Sequence, residues 1–170
     1  MCNSRNSIEE AQGRVVAFVR PMRDGRGIDF HVPFGTGFFI NADGYLATNA
    51  HVVRAAEQYS NQGIPVGLKY PARFAGGAFS NLPLANAVVL ASDEAVSVDD
   101  RADVAIIRTG GRLQKEPNFF KLNLQAVRVG TQIAFTGYPL AQDVPITISA
   151  RVASEETTAS GSLIVEMVAG

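Results

Sequence analysis

Short apolar runs recur along most of this chain between polar stretches, and glycine, proline, asparagine or aspartate bound them. Short β-branched and aromatic runs bounded by turn formers are the pattern of β-strands. Residues 15–20 form the first, closed by Pro21. Residues 37–40 and Tyr45–Thr48 flank Asn41-Ala42-Asp43-Gly44, whose Asp-Gly pair tolerates the backbone angles of a hairpin turn. Residues 66–70, 87–91 and Val104–Arg108 are the next strands, and residues 132–136, 146–153 and 163–168 the last. Helical periodicity is confined to two places. Residues 7–12 make one turn with Ser7 as cap and Glu10 three residues on, and residues 50–56 open an apolar turn at Ala50-His51. The Gly-, Ala- and Phe-rich stretch between Pro71 and Pro83 reads as an extended surface loop. Gly110-Gly111 breaks the chain, and residues 112–128 read as a connecting segment. Many short strands, without repeats or heptads, predict an all-β barrel or sandwich.

Composition narrows the classes. The 170 residues, 46% hydrophobic and 18% charged, suffice for one ordinary domain or two small barrels. Lysine and arginine number 15 against 16 acidic residues, a net charge of −1, and no basic cluster offers a nucleic-acid footprint. Cys2 is the single cysteine, so an intrachain disulfide framework is excluded. No run approaches the ~18 apolar residues of a membrane span. The opening Met-Cys-Asn-Ser-Arg-Asn-Ser has no apolar core for a signal peptide. A disulfide-free chain of this kind fits the cytoplasm or, if Met1 is not the native start, the bacterial periplasm; oligomeric state stays open. Two histidines without a cysteine pair make no zinc spacing, and Gly25-Arg26-Gly27 lacks the Lys-Ser/Thr of a phosphate loop. No metal or organic cofactor is expected.

The candidate chemistry centres on His51, which follows a strand and begins a helical turn, so that an imidazole is presented from a rigid support. Asp103 stands at the lip of the apolar run Val104-Ala105-Ile106-Ile107, where a carboxylate can fix an imidazole's tautomer and stabilise the imidazolium. Asp99 and Asp100 compete for that role but sit in a charged turn and read as solvated. His31, between Phe30 and Val32, reads as structural or exposed, and Phe119-Phe120 as packing between barrels. Ser160 and Ser162 lie in a polar turn, which favours turn chemistry over nucleophilicity, and Cys2 precedes the first strand.

These segments, in this order, resemble the chymotrypsin-fold (trypsin-like) serine proteases, most closely the bacterial high-temperature-requirement branch. That branch carries a stretch like Gly-Ser-Gly-Phe-Ile-Ile, an Asp-Gly turn, then Thr-Asn-Ala-His-Val-Val. Here Gly35-Thr36-Gly37-Phe38-Phe39-Ile40, Asp43-Gly44 and Thr48-Asn49-Ala50-His51-Val52-Val53 match it. Asp103-Val104-Ala105-Ile106-Ile107 is similar to the family's aspartate segment, and the run from Val129-Gly130 to Gly137-Tyr138-Pro139 resembles the opening of its second barrel. The resemblance implies a chymotrypsin-like double β-barrel: a complete first barrel over residues 1–112, a linker over 113–128 and an incomplete second barrel over 129–170. It implies His51 as general base and then acid, Asp103 as its orienter, and Thr48 and Ala50 as packing around the ring. Activity would be endopeptidase hydrolysis of a polypeptide substrate through an acyl-enzyme.

The family's Gly-Asn/Asp-Ser-Gly-Gly-Pro nucleophile motif does not occur in the 170 residues. The expectation is therefore a chain truncated before that motif, lacking nucleophile and oxyanion hole and inactive as it stands. A non-catalytic homologue acting as a binding or regulatory module is the alternative, and an unrelated β-barrel a third reading. A half-built second barrel is further expected to leave open edges and bare apolar surface that promote self-association.

Overall fold

Five successive residues, Val15 to Val19, are buried, and this double-sided burial makes β1 (Val15–Arg23) the shared wall of two cores. Val16 and Phe18 face one cluster, while Val15, Ala17 and Val19 face another that is closed by Tyr138. A strand buried on both faces reads as a continuous apolar run, which is what residues 15–19 are. The computed structural model describes residues 4–27, 29–69, 96–108, 119–121, 127–139, 144–157 and 163–167.

Before β1 runs α1 (Ser4–Gln12). After it come β2 (Asp29–Phe39), β3 (Tyr45–Thr48), α2 (Ala50–Asn61), β4 (Gly67–Lys69), β5 (Val96–Asp99) and β6 (Val104–Arg108). A second group holds β7 (Gln132–Gly137), β8 (Ile146–Thr157) and β9 (Leu163–Met167). Among the described residues the named strands pair antiparallel, in a six-stranded sheet ordered β4-β1-β2-β3-β6-β5 and a three-stranded sheet ordered β7-β8-β9.

Neither sheet closes on itself, which corrects the expected double barrel with a complete first barrel: the fold is all-β with two open sheets. The edge strands of the larger sheet, β4 and β5, are not partners. They have three and four residues. Closure requires a consistent tilt and stagger around the whole ring, and alternation along a strand specifies only which face is buried.

Smaller differences have local causes. β1 does not stop at Pro21 but continues to Arg23, with Pro21 opposite His31. β4 pairs only with Ala17 to Val19, so at Pro21 the side without an N–H borders no strand. β2 extends back to Asp29 across a bulge between Phe18 and Val19, which absorbs Phe34 before Gly35. Ser7 lies inside α1 rather than at its cap, because the helix begins at Ser4. β8 likewise runs past the expected residue 153 to Thr157. The expected strand 87–91 and the loop between Pro71 and Pro83 lie outside the described residues. Among those described, no helix is long and apolar enough to cross a membrane.

The helix α2 lies on the larger core through Val52, Val53 and Ala56, all nearly inaccessible. It sits close because β2 has glycine below it: a Cβ on Gly35 would fall 2.4 and 2.7 Å from the two methyls of Val52. The two sheets meet at Thr36. Its hydroxyl accepts the Tyr138 N–H at 2.8 Å, and its carbonyl accepts the Thr48 hydroxyl at 2.7 Å. Phe119 pairs with Phe39 as an isolated parallel bridge, and Phe120 meets Phe38 edge-on with ring centroids 5.6 Å apart.

Gly35→Ala should lower stability by about 1–3 kcal/mol through overpacking against Val52, read from urea unfolding midpoints. The double variant Gly35→Ala/Val52→Ala should cost less than the sum of its parts, whereas strict additivity would show that the two sites do not touch. On the smaller sheet, Phe135 and Ile148 are direct cross-strand partners, 50% and 42% exposed, beside Ile146 at 40%. The isolated chain should self-associate through this apolar face, and Ile148→Lys should shift it toward monomer in size exclusion; a monodisperse wild-type monomer would contradict this.

Candidate active site

The chain leaves β3 at Thr48, turns at the extended residue Asn49 and enters α2 at Ala50. Burial of Ala50, Val52, Val53 and Ala56 against the sheet forces His51 and Arg54 to the outer side. In the β3–β6 pairing Thr48 faces Ala105. Continuing that antiparallel register by two residues sets the first turn of α2 beside Asp103. The turn from β5 to β6 that carries Asp103 is folded by Asp99, whose carboxylate accepts the Arg101 and Ala102 N–H groups, both at 3.0 Å. Asp103 itself has φ +52°, a left-handed conformation that costs a non-glycine residue roughly 1–2 kcal/mol.

That conformation aims the carboxylate at the start of α2. Asp103 Oδ2 lies 2.9 Å and Oδ1 3.1 Å from His51 Nδ1, and Oδ1 also accepts the His51 backbone N–H at 3.0 Å. Asn49 Nδ2 donates to the Asp103 carbonyl at 3.1 Å and to Oδ2 at 3.2 Å. The helix has no cap from its own Asn49 side chain, so the Asp103 carboxylate supplies an acceptor from the neighbouring turn at the electropositive end of α2. The His51 backbone N–H, foremost, holds the Asp103 carboxyl below the usual carboxylate range against the opposing effect of desolvation, with smaller help from the His51 ring and the Asn49 amide. With Nδ1–H donated to the carboxylate, Nε2 keeps its lone pair, and the His51 side chain is 68% exposed.

A second charged group adjoins this pair. Arg54 Nε and Nη2 donate to the two oxygens of Asp100 at 3.2 and 2.8 Å, and Nη1 donates to Glu57 at 3.2 Å. The Arg54 bonds hold the Asp100 carboxyl below its ordinary value, and Asp100 with Glu57 raises that of Arg54. An open depression of about 450 Å³ lies between His51, Arg54, Gln58 and Asp100.

The structure thus brings the side chains of His51 and Asp103 together. Thr48 and Ala50 are buried beneath them. Asp99 and Asp100 remain at the surface, yet they are not merely solvated: one folds the turn and the other pairs with Arg54. His31 sits in β2 opposite Pro21 and takes no part in the network around His51. Ser160, Ser162 and Cys2 lie outside the described residues. Asn49 and Arg54 were not singled out by sequence reasoning. Asn49 could have been, since an amide directly before Ala50-His51 stands at the helix entrance, whereas nothing local marks Arg54.

A family model described as a trypsin-like peptidase domain matches residues 35–168. No curated protein matches the sequence. Among solved structures, the crystal structure of Deg5 is similar, with a TM-score of 0.57 and 15% sequence identity over 98% of this chain and 74% of that one. At that identity the likeness bears on the fold alone.

The depressed Asp103 carboxyl makes a pH prediction. Its stabilising contribution is complete above the unfolded-state value, about 3.9, and is lost as pH falls through the lower folded-state value. The difference in urea midpoint between wild type and Asp103→Asn should therefore be largest near neutrality and shrink below about pH 4. A difference that stays constant into acid would show that Asp103 acts without its charge.

Proposed function

The chain belongs to the trypsin-like peptidase domain family, and we propose on that footing that it carries the histidine–aspartate part of a serine endopeptidase. The observation that supports this best is the 2.9 Å contact between His51 Nδ1 and Asp103 Oδ2 beside an exposed ring. In this reading Asp103 holds His51 in the tautomer whose Nε2 is free to accept a proton. A serine hydroxyl attacks the scissile carbonyl carbon, and its proton passes to Nε2. The tetrahedral intermediate collapses as the imidazolium returns that proton to the departing amine nitrogen, leaving an acyl-enzyme. Water then repeats the sequence, giving up a proton to Nε2 and releasing the carboxylic acid product. The substrate is a polypeptide.

The serine is not assigned to this stretch of chain. No Gly-Asn/Asp-Ser-Gly-Gly-Pro sequence occurs in the 170 residues. Among the described residues no hydroxyl hydrogen-bonds His51 Nε2. The reading therefore holds that these residues on their own do not hydrolyse peptides, since nucleophile and oxyanion donors together account for most of the rate.

The test has two arms. The whole product of the gene should cleave an unfolded polypeptide, and His51→Ala should reduce kcat by about 10⁴-fold or more; undiminished cleavage would remove His51 from the chemistry. A serine-directed phosphonate should leave the 170-residue chain unlabelled in a mass spectrum, and stoichiometric labelling would locate the nucleophile inside it.

A further inference from the structure

We propose that Arg54 and Asp100 form a positioning pair for the candidate dyad, holding the β5–β6 turn against α2 so that Asp103 stays on the His51 ring. The inference rests on the His51–Asp103 reading above and extends it to two neighbouring residues that hydrogen-bond to each other rather than to that pair. Asp103 is exposed on one side and sits in a left-handed backbone conformation. Such a conformation persists where surrounding contacts over-determine it. Within the turn, Asp99 ties down only its own loop, through the Arg101 and Ala102 N–H groups. Among the described residues, Asn49 at the entrance of α2 ties Asp103 itself through its carbonyl and Oδ2, and the rest of the turn is tied to the body of the helix by the two-point contact of Arg54 with Asp100 at 3.2 and 2.8 Å. Two parallel N–H···O bonds fix orientation as well as distance. Glu57, three residues along α2, holds the third guanidinium nitrogen and so presets the Arg54 side chain. An exposed ion pair adds little to global stability. Its effect belongs in the geometry of Asp103, because a small misplacement of a catalytic group carries a large kinetic penalty.

Among the described residues, the charged and polar groups that act on Asp103 are His51 and Asn49 from α2 and its approach and Asp100 from its own turn, while Arg54 lines the same depression. This arrangement separates positioning from simple charge. Loss of the Asp100 charge alone, with Asp103 unmoved, favours the ionised Asp103 and lowers its titration. Loss of the tie lets Asp103 drift from the His51 N–H groups and raises it.

The experiment follows the Asp103 carboxyl carbon by NMR against pH, with the His51 Nδ1–H proton as a second signal, in wild type, Asp100→Ala, the exchange Arg54→Asp/Asp100→Arg, and Asp103→Asn. In Asp100→Ala the Asp103 titration should rise toward the ordinary carboxylate value and the Nδ1–H proton should exchange with water several-fold faster, at a nearly unchanged urea midpoint. The exchange variant should restore both signals. An Asp103 titration that falls or stays, with an unaltered Nδ1–H proton, overturns the positioning role while leaving the dyad intact. A proton signal that survives Asp103→Asn overturns the dyad reading itself.

Discussion

One carboxylate organises the edge of the larger sheet. Asp103 accepts the backbone N–H of His51 and meets the ring of the same residue, so the contact that caps α2 from outside is also the contact that orients the imidazole. The two tasks support one another. The partial positive charge of a helix N-terminus favours an ionised acid there, and an ionised acid is what an imidazole Nδ1–H needs as acceptor. The left-handed backbone of Asp103 is the local cost of reaching both donors at once.

The contact holds only because α2 has a defined seat. Val52, the residue after His51, presses into the place that a side chain on Gly35 would occupy. On the other side of the same strand pair, Thr36 joins β3 to the smaller sheet through its carbonyl and hydroxyl. Gly35 and Thr36 are neighbours, so one short stretch of β2 sets the height of the helix and fastens the second sheet. β1 lies beside it, buried on both faces, and divides the two cores. The imidazole is thus carried by a scaffold whose packing is continuous from Val52 to Tyr138.

Much of this was legible in the chain. Tyr45–Thr48 and Val104–Arg108 have the expected bounds because each is a short apolar run with a turn former at its start. His51 and Asp103 stand at the edges of such runs, and it is the resemblance of their segments to those of trypsin-like proteases that gave them weight. What was not legible is tertiary. Alternation says which face of a strand is buried but not whether the sheet's ends meet, so the open sheets could not be read from it. The four-residue β5 hid in an acidic turn, Val98-Asp99-Asp100, where polar residues mask a strand end. Helix α2 runs five residues past the expected residue 56, to Asn61, where the apolar stripe fades into Glu57, Gln58 and Ser60. Arg54 acquires its meaning only from Asp100, which is 46 residues away in sequence and adjacent in space.

The exposure of the pair bears on what it can contribute. Side chains of His51 and Asp103 are 68% and 46% exposed. Charges so placed interact through water, which reduces their mutual energy to a small fraction of its value in a dry site. In the proposed reaction, then, Asp103 chiefly supplies direction while the site is open: it fixes the tautomer and the plane of the ring. In that proposed reaction its electrostatic support of the imidazolium would grow where a bound polypeptide excluded solvent from the ring. A dyad that is geometrically complete but electrostatically weak in the open state gains strength where a substrate lies across it. The same reasoning explains why an exposed tie such as Arg54–Asp100, negligible as a source of stability, matters for a pair whose open-state task is orientation.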